Sequence, residues 1–355
     1  MELSYRWKLA DGYPPLNKGK VFSCFACGGG STMGYKLAGF DVLGCNEIDP
    51  RMMAAYQANH HPKYSFLEPI QTFKNKPDLP EELYHLDILD GSPPCSSFSM
   101  AGSREDGWGV EKKFREGQAE QVLDTLFFDF IDLAKRLQPR VVVAENVKGL
   151  LMGEARTYYH KIKEELQAAG YETIDFLMDA SKMGIPQRRE RVFFIGLRKD
   201  LCGPFMEQFD LFNEKPRFSL EFNEKQIVFK EFMDLQGREI GPKMKDLWAS
   251  RQNGDTSMCE SSQRIFNKES FFSQTYIYPD AVPYTLTSYE DSLVLFNAPK
   301  CTSVKEACCI GSFPEDYDFC GNKAHYIIGM SVPPLMVARI ADQIYKQWLS
   351  KLEVK

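Results

Sequence analysis

Residues 20–47 read KVFSCFACGGGSTMGYKLAGFDVLGCNE, and this stretch decides the fold class. The first six residues are typical of a short buried strand, and the glycine turn at residues 27–30 leads into a helical stretch that ends at Gly39. A second strand then closes on Glu47, about 20 positions past the glycines, as in nucleotide-binding α/β units. Because a turn without side chains lets backbone amides approach a ligand, the stretch predicts a cofactor site.

The alternation of strand and helix continues beyond this unit. Short apolar runs at 85–89 and 141–144 predict further strands, and the runs 121–137 and 158–169 have helical spacing. Two more strands, 172–178 and 191–197, are expected to form an antiparallel edge. The sequence therefore predicts a Rossmann-like α/β sheet that is mostly parallel, with one antiparallel edge strand.

Past residue 201 the periodicity loosens, which indicates a second, smaller domain. Helical periodicity returns after Pro333 and Pro334, which precede a predicted apolar helix at 335–352. We therefore expect three segments along the chain: a catalytic and cofactor-binding domain at 1–199, a second domain at 200–322, and a segment at 323–355 that returns to the first domain.

Composition limits the class of protein. The chain has 355 residues, and none of its apolar runs approaches the roughly 20 residues that cross a bilayer. Its start, MELSYRWKLADGYPP, is unlike a secretory signal, so we expect a cytoplasmic protein. The ten cysteines are scattered and only Cys24 and Cys27 have CxxC spacing, so we expect reduced thiols and no metal site.

The net charge of −6 argues weakly against a nucleic-acid partner, but local clusters of basic residues matter more than the total. Lysine and arginine recur at 188–199 and again at 225–251. Each run taken alone is more often a solvated face than a binding surface.

Residues 90–99, DGSPPCSSFS, follow the predicted strand at 85–89. Two prolines fix the backbone directly before Cys95, at the carboxyl end of a strand, where open α/β sheets bind their ligands. A lone cysteine is usually a small buried apolar residue, but this rigid presentation favours a nucleophile.

Glu145 and Asn146 follow the apolar strand at the same predicted sheet edge. A carboxyl group there is partly desolvated, which would raise its pKa and let it hold a proton near neutral pH. A helix cap is the alternative explanation for the same residues.

Taken together, these motifs resemble the DNA cytosine-5 methyltransferases. FACGGGSTMGYKLAGFDVLGCNEIDP is similar to the family's cofactor motif, GSPPCSSFS to its catalytic-cysteine motif, AENV to its Glu-Asn-Val motif and IPQRRERVFFIG to its Gln-x-Arg-x-Arg motif, all in family order. TLFFDFIDLAKRLQP, SVKEACCIGSFPEDY and IIGMSVPP resemble further family segments. The resemblance spans residues 20–345 except for roughly 200–295, the part that varies within the family.

The resemblance implies a class I methyltransferase sheet with a target-recognition domain, S-adenosylmethionine as cofactor and double-stranded DNA as partner. It also implies that the target cytosine is flipped out of the duplex. A restriction endonuclease acting on the same sequence is a candidate further partner.

The resemblance also assigns roles to residues. Cys95 would attack C6 of the cytosine, Glu145 would protonate N3, Arg191 would hold O2, Arg189 would support the cysteine loop or a phosphate, and Asn146 would steady the motif. The implied cofactor contacts are Phe25, Gly29, Glu47, Ile48, Glu68, Pro94, Leu126 and Ser331. The candidate nucleic-acid contacts are Arg188, Ser97, Gln252 and Arg264, with Asn253, Gln263 and Gln274 as further candidates for reading base edges.

The chain departs from the family pattern at a few positions outside the catalytic motifs. Cys27 stands where a glycine is usual, Glu68 where an aspartate is usual, Lys300 and Ser303 where arginine and threonine are usual, and Met330 where asparagine is usual.

Three alternative functions would each account for part of the sequence. A branch of the same family methylates transfer RNA, but its Cys-Phe-Thr tripeptide does not occur here. A regulator that keeps the fold without turnover would not need Cys95, Glu145, Arg189 and Arg191. A dehydrogenase would explain only the glycine turn.

Overall fold

The structure is a computed structural model that describes residues 3–94, 125–153, 155–208, 214–267 and 274–352, with the backbone of 111–112 and 121–122. Cys95 and Ser97 lie outside the described residues. Statements about side chains below concern the described ranges.

The strands, in chain order, are β1 (Lys20–Cys24), β2 (Asp41–Glu47), β3 (Tyr64–Leu67), β4 (Ile88–Gly91), β5 (Glu111–Lys112), β6 (Gln121–Val122), β7 (Val141–Val147), β8 (Tyr171–Asp179), β9 (Glu190–Arg198), β10 (Met206–Gln208), β11 (Glu214–Pro216), β12 (Thr275–Ile277) and β13 (Leu293–Leu295). Seven of them form one sheet in the order β3-β2-β1-β4-β7-β9-β8. The others pair as β5 with β6, β10 with β11 and β12 with β13.

The α-helices, in chain order, are α1 (Gly30–Leu37), α2 (Pro50–His60), α3 (Ile70–Phe73), α4 (Leu126–Leu137), α5 (Ala155–Ala168), α6 (Pro242–Ala249), α7 (Met258–Phe266), α8 (Val304–Gly311), α9 (Ala324–Met330), α10 (Pro334–Ile344) and α11 (Ser350–Leu352). A π-helical turn, Tyr345–Leu349, joins the last two.

The seven-stranded sheet is mostly parallel, as predicted. β3, β2, β1, β4 and β7 run parallel to one another, whereas β9 is antiparallel to β7. The antiparallel member therefore lies one place in from the edge, which β8 occupies.

Helix α4 supplies much of the apolar cover of this sheet. Its residues Leu126, Phe127, Phe130, Leu133 and Leu137 are almost fully buried, at the spacing of one helix face. The helix begins at Leu126 and not at the predicted residue 121, because residues 121–122 pair with 111–112 as a short antiparallel ladder.

The described chain divides into two compact units. The sheet unit comprises the described residues of Tyr13–Met178, Glu190–Glu221 and Val337–Lys355. The second unit comprises those of Met1–Gly12, Asp179–Arg189 and Phe222–Met336.

This division differs from the predicted boundaries at residues 199 and 322. The segment Asp179–Arg189 belongs to the second unit although it connects two strands of the sheet. Gln187 accounts for part of the difference, since its side-chain amide donates to the carbonyl of Ile310 at 2.9 Å and accepts from the amide of Leu286 at 3.0 Å. Sequence periodicity could not show these contacts because the partners lie about a hundred residues away.

The second unit has its own small core. Ile240, Leu247, Met258, Tyr276 and Val294 are buried together, with Trp248 and Phe296 packed against them. Helices α6 and α7 and the β12–β13 pair surround this cluster.

One helical stretch of the described chain, Ala324–Leu352, would pass for a membrane span by length and composition. Most of its apolar window, 78%, is buried inside the protein. It therefore has the character of a core helix.

Gly44 is required where β2 meets β3. A Cβ atom at this position would lie 1.8 Å from the backbone oxygen of Tyr64, which is fixed by the parallel ladder. We predict that Gly44→Ala lowers the free energy of unfolding by roughly 3 kcal/mol, because overpacking against backbone cannot relax cheaply. Urea denaturation followed by circular dichroism measures this change.

The matched control is Gly203→Ala, where a Cβ would meet no atom within 4 Å. The control should shift the unfolding free energy by less than about 0.5 kcal/mol. Equal effects of the two substitutions would contradict the close approach of the two strands.

Candidate active site

The parallel strands bring four predicted functional segments to one edge of the sheet. Cys24, at the end of β1, pairs with Asn46 on one side and with Gly91 on the other, and Gly91 pairs in turn with Ala144. The glycine turn, Glu47, the segment after Gly91 and Glu145 follow directly from these residues. The carboxyl edge of the sheet is therefore the candidate active site.

Glu47 is buried, and its carboxylate is bound by the backbone around it. Oε2 accepts the amide of Cys27 at 2.7 Å, and Oε1 accepts the amides of Ile48 and Asp49 at 2.8 and 2.9 Å. Burial raises the pKa of Glu47, while these amides oppose the shift. A carboxylate can accept about four hydrogen bonds, and three amides already bind Glu47, so its carboxylate can accept about one more from a ligand hydroxyl.

The glycine turn is held in a special backbone conformation. Phe25, Cys27 and Gly29 all have positive φ, at 56°, 47° and 79°. Cys27 adopts this region although it carries a side chain, and the hydrogen bond of its amide to Glu47 compensates for part of the strain.

His60 supports the turn from beneath. Its Nε2 lies 3.1 Å from the carbonyl oxygen of Gly28, and a Cβ at Gly29 would lie 2.1 Å from the same nitrogen. Burial lowers the pKa of His60 to about 3, so the ring is neutral near pH 7 and carries its proton on Nε2, where it can donate to that carbonyl. The imidazole therefore fills the space that Gly29 leaves open.

Asp90 lies at the end of β4, five residues before Cys95, within a buried polar cluster. Ser23 donates its hydroxyl to Oδ2 at 2.8 Å, and Tyr35 donates to Oδ1 at 3.1 Å. Burial raises the pKa of Asp90 to about 6, although the hydrogen bonds from Ser23, Ser31 and Tyr35 oppose the shift. The cluster links β1, α1 and β4 beneath the candidate site.

Asn146 binds the backbone that leads into the cysteine segment. Its Nδ2 donates to the carbonyl of Pro93 at 3.3 Å, and its Oδ1 accepts the amide of Val147 at 2.8 Å. The predicted steadying role of Asn146 thus has a described contact two residues before Cys95.

Glu145 and Arg191 form a nearly buried ion pair across two antiparallel strands. Arg191 Nε lies 2.9 Å from Glu145 Oε1, and both side chains are at most 15% exposed. Glu145 lies opposite Phe193 and Arg191 opposite Val147, so the two are diagonal neighbours on one face of the sheet. The local sequence around Glu145 indicated its burial but not this partner, which lies 46 positions further along the chain.

The other residues implied as cofactor contacts lie in several different parts of the described structure. Phe25 and Ile48 are half-buried near the glycine turn, and the side chain of Glu68 lies 3.5 Å from Lys76. Leu126 is fully buried in the hydrophobic core, because the first turn of α4 faces the sheet. Ser331 is buried in the second unit.

Arg189 is buried in the second unit, where its guanidinium joins distant segments. It donates to the carbonyls of Leu286, Gly329 and Ser331 at 3.0 to 3.1 Å. These contacts show a structural function of Arg189; its predicted support of the cysteine loop falls on residues outside the described ranges.

Two further arginines of the second unit differ in the partners of their guanidinium groups. Arg188 is exposed, with its guanidinium 5.4 Å from the ring centroid of Tyr284. Arg264 is engaged by the carboxylate of Asp255 and by the carbonyl of Ser250. Gln252 is exposed.

The nine described cysteines form no disulfide with one another. Most of them are buried. Cys24, in the core beside β4, has a pKa raised well above its ordinary value by burial.

Asp90 should make stability depend on pH. Its pKa is about 6 in the folded chain and near 3.9 when unfolded, so the folded state holds the proton longer, and stability should fall as pH rises from about 4 to 6. We predict that the wild-type protein loses roughly 3 kcal/mol relative to Asp90→Asn over this range. Denaturant unfolding at several pH values measures the difference, and parallel curves would contradict it.

Comparisons with known proteins identify the family of the chain. The family model of the C-5 cytosine-specific DNA methylases matches residues 19–346. The chain is 30% identical to the type II methyltransferase M.NgoPII of Neisseria gonorrhoeae, over 94% of this chain and 96% of that protein. It is 27% identical to M.FnuDI of Fusobacterium nucleatum, over 95% and 97% of the two chains.

Solved structures agree in fold. A DNMT2 variant of Spodoptera frugiperda superposes with a TM-score of 0.60 at 16% sequence identity, covering 92% of this chain and 99% of that one. This likeness concerns the fold alone, whereas the family model and the sequence relatives carry the assignment. The chain therefore belongs to the C-5 cytosine-specific DNA methylase family and is a DNA cytosine-5 methyltransferase.

Proposed function

We propose that the protein methylates C5 of a cytosine flipped out of a short, specific duplex sequence, through a covalent bond between Cys95 and C6 and with S-adenosylmethionine as the methyl donor. The observation that carries this proposal is the convergence of Glu145, Arg191 and the Asn146-bound Pro93 carbonyl at the carboxyl edge of the sheet. Cys95 follows Pro93 by two residues, so the nucleophile's segment starts at this edge.

The chemistry needs a nucleophile because C5 of cytosine is weakly reactive. Addition of the Cys95 thiolate to C6 breaks the C5–C6 double bond and makes C5 electron-rich. After methyl transfer, the C5 proton passes to a solvent water molecule, and the electron pair of the broken C–H bond re-forms the C5–C6 double bond and expels the Cys95 thiolate. In duplex DNA both carbons are stacked, so the base must leave the helix first.

Glu145 and Arg191 act on the pyrimidine edge in this proposal. In its protonated form Glu145 delivers a proton to N3, which offsets the negative charge that builds on the ring as sulfur adds, and the carboxylate takes this proton back when the sulfur leaves. Arg191 has further N–H donors beyond the one that binds Glu145, and a guanidinium can hold the O2 oxygen with them. The ion pair fixes the two side chains before the base arrives.

The sheet edge also fits the cofactor. The buried Glu47 carboxylate keeps about one acceptor position for a ribose hydroxyl, and the backbone of the glycine turn at Gly29 is the proposed contact of the rest of the cofactor. Phe25 and Ile48 supply apolar surface for the adenine, with Glu68 and Pro94 as further contacts. S-adenosylmethionine supplies the methyl group as an electrophilic carbon.

The second unit would provide the DNA contacts. Arg188 is exposed and next to the buried Arg189, so its charge is available to a phosphate. Ser97 and the segment around Cys95 are the remaining candidates for contact with the flipped nucleotide.

The biological setting follows from the same proposal. Several relatives are named type II methyltransferases, and we propose a restriction endonuclease for the same sequence as a partner. The protein would act in the cytoplasm, where bacterial DNA is accessible.

Methylation of a DNA library tests the proposal. Purified protein, S-adenosylmethionine and duplexes of random sequence should yield 5-methylcytosine within one short sequence, detected by bisulfite sequencing. Cys95→Ser should reduce the rate at least about a thousandfold, since the nucleophile is lost. Omission of S-adenosylmethionine should abolish the product.

The matched control is Cys320→Ser, which changes an exposed cysteine of the second unit and should retain the wild-type rate. Transfer RNA transcripts form the second arm and should remain unmethylated. Methylated adenine, methylated transfer RNA alone, or an active Cys95→Ser variant would each refute the proposal.

A further inference from the structure

The second unit presents a rigid polar turn at residues 252–255. The amide of Asp255 donates to the carbonyl of Gln252 at 3.1 Å, which closes a β-turn. Gly254 has φ of 99°, the left-handed region that the third position of a type II turn requires. The conformation of the turn is therefore set by its own sequence.

Asp255 anchors the turn from inside. Its buried carboxylate accepts the amide of Gln252 at 2.8 Å and forms an ion pair with Arg264 of α7. The hydroxyl of Tyr278 donates to the carbonyl of Asp255 at 2.8 Å and accepts the amide of Gly254 at 3.0 Å. Arg264 and Tyr278, which lie outside the turn, thus hold its four residues in place.

Arg251 fixes the chain where it enters the turn. Its guanidinium carbon lies 3.2 Å from the centroid of the Trp248 ring. Its Nε donates to the carbonyl of Phe296 at 2.6 Å, and Nη1 donates to that of Trp248 at 2.8 Å. This arginine therefore serves the scaffold, in the same way as Arg264.

The tip of the turn is different. Gln252 and Asn253 are exposed, and their side-chain amides make no hydrogen bond within the described part of the chain. Each amide keeps a donor and an acceptor side by side, on a backbone that is already ordered. Little conformational entropy of the backbone would be lost if a partner bound there.

We propose that Gln252 and Asn253 determine sequence specificity by reading the edges of base pairs in the major groove. This proposal rests on the proposed methylation of duplex DNA. A carboxamide matches the N7 acceptor and N6 donor of adenine, and one such pair discriminates between bases by about 5- to 150-fold. Arg251, Asp255, Arg264 and Tyr278 position the turn, and their polar groups bind other residues of the second unit.

The experiment is a methylation-rate profile over a duplex library in which every base pair around the target cytosine is varied. Gln252→Ala and Asn253→Ala are compared with the wild type. We expect at least one of the two to lose about fivefold or more of its discrimination at one or two base pairs, and to keep its preference elsewhere. Both residues are exposed, so the variants should unfold at the wild-type temperature.

The matched control is Asn223→Ala, which removes an exposed amide of the same unit that has no proposed role in binding, and its profile should equal that of the wild type. Unchanged profiles for both Gln252→Ala and Asn253→Ala would overturn this inference while leaving the methylation proposal intact. A uniform loss of rate over all sequences would also overturn it, since that is the signature of a phosphate contact. A wild-type protein that methylates no duplex would remove both proposals together.

Discussion

The parallel hydrogen-bond ladder is the constraint on which the site depends. Because β1, β2, β4 and β7 run in the same direction, whatever follows each strand meets at one edge. The antiparallel β9 then begins where the others end, which brings Arg191 to Glu145. A register shift of one residue in β7 or β9 would move one of these two side chains to the opposite face of the sheet and separate the pair.

Buried polar groups make this edge rigid before any ligand arrives. Glu47 accepts hydrogen bonds from three backbone amides and keeps about one acceptor position. His60 fills the space under Gly29. Asp90, on the strand that leads to Cys95, accepts hydrogen bonds from the hydroxyl groups of Ser23 and Tyr35. Each group is costly to bury alone, and each is held by hydrogen bonds to segments that the site must align. Stability at the edge and readiness for binding thus come from the same contacts.

The sequence predicted features that depend on neighbouring residues, but it did not predict contacts between residues that lie far apart in the chain. The strand, turn and helix of residues 20–47 were predicted correctly because their signals lie within a few residues. The motif resemblance led to the family, which the family model confirmed. The support of the turn by His60, the partner of Glu145 and the placement of Asp179–Arg189 in the second unit were missed. Each depends on contacts between residues 30 to 140 positions apart, which neither periodicity nor spacing encodes.

The central claim is that the sulfur of Cys95 bonds to C6 of the target base. A duplex that carries 5-fluorocytosine at the methylated position tests it most directly, because fluorine cannot leave as the C5 proton does and the reaction stops before the sulfur is expelled. With S-adenosylmethionine present, the account predicts a denaturation-resistant protein–DNA adduct that mass spectrometry maps to the peptide containing Cys95. Inhibition without an adduct, or an adduct on another residue, would contradict it.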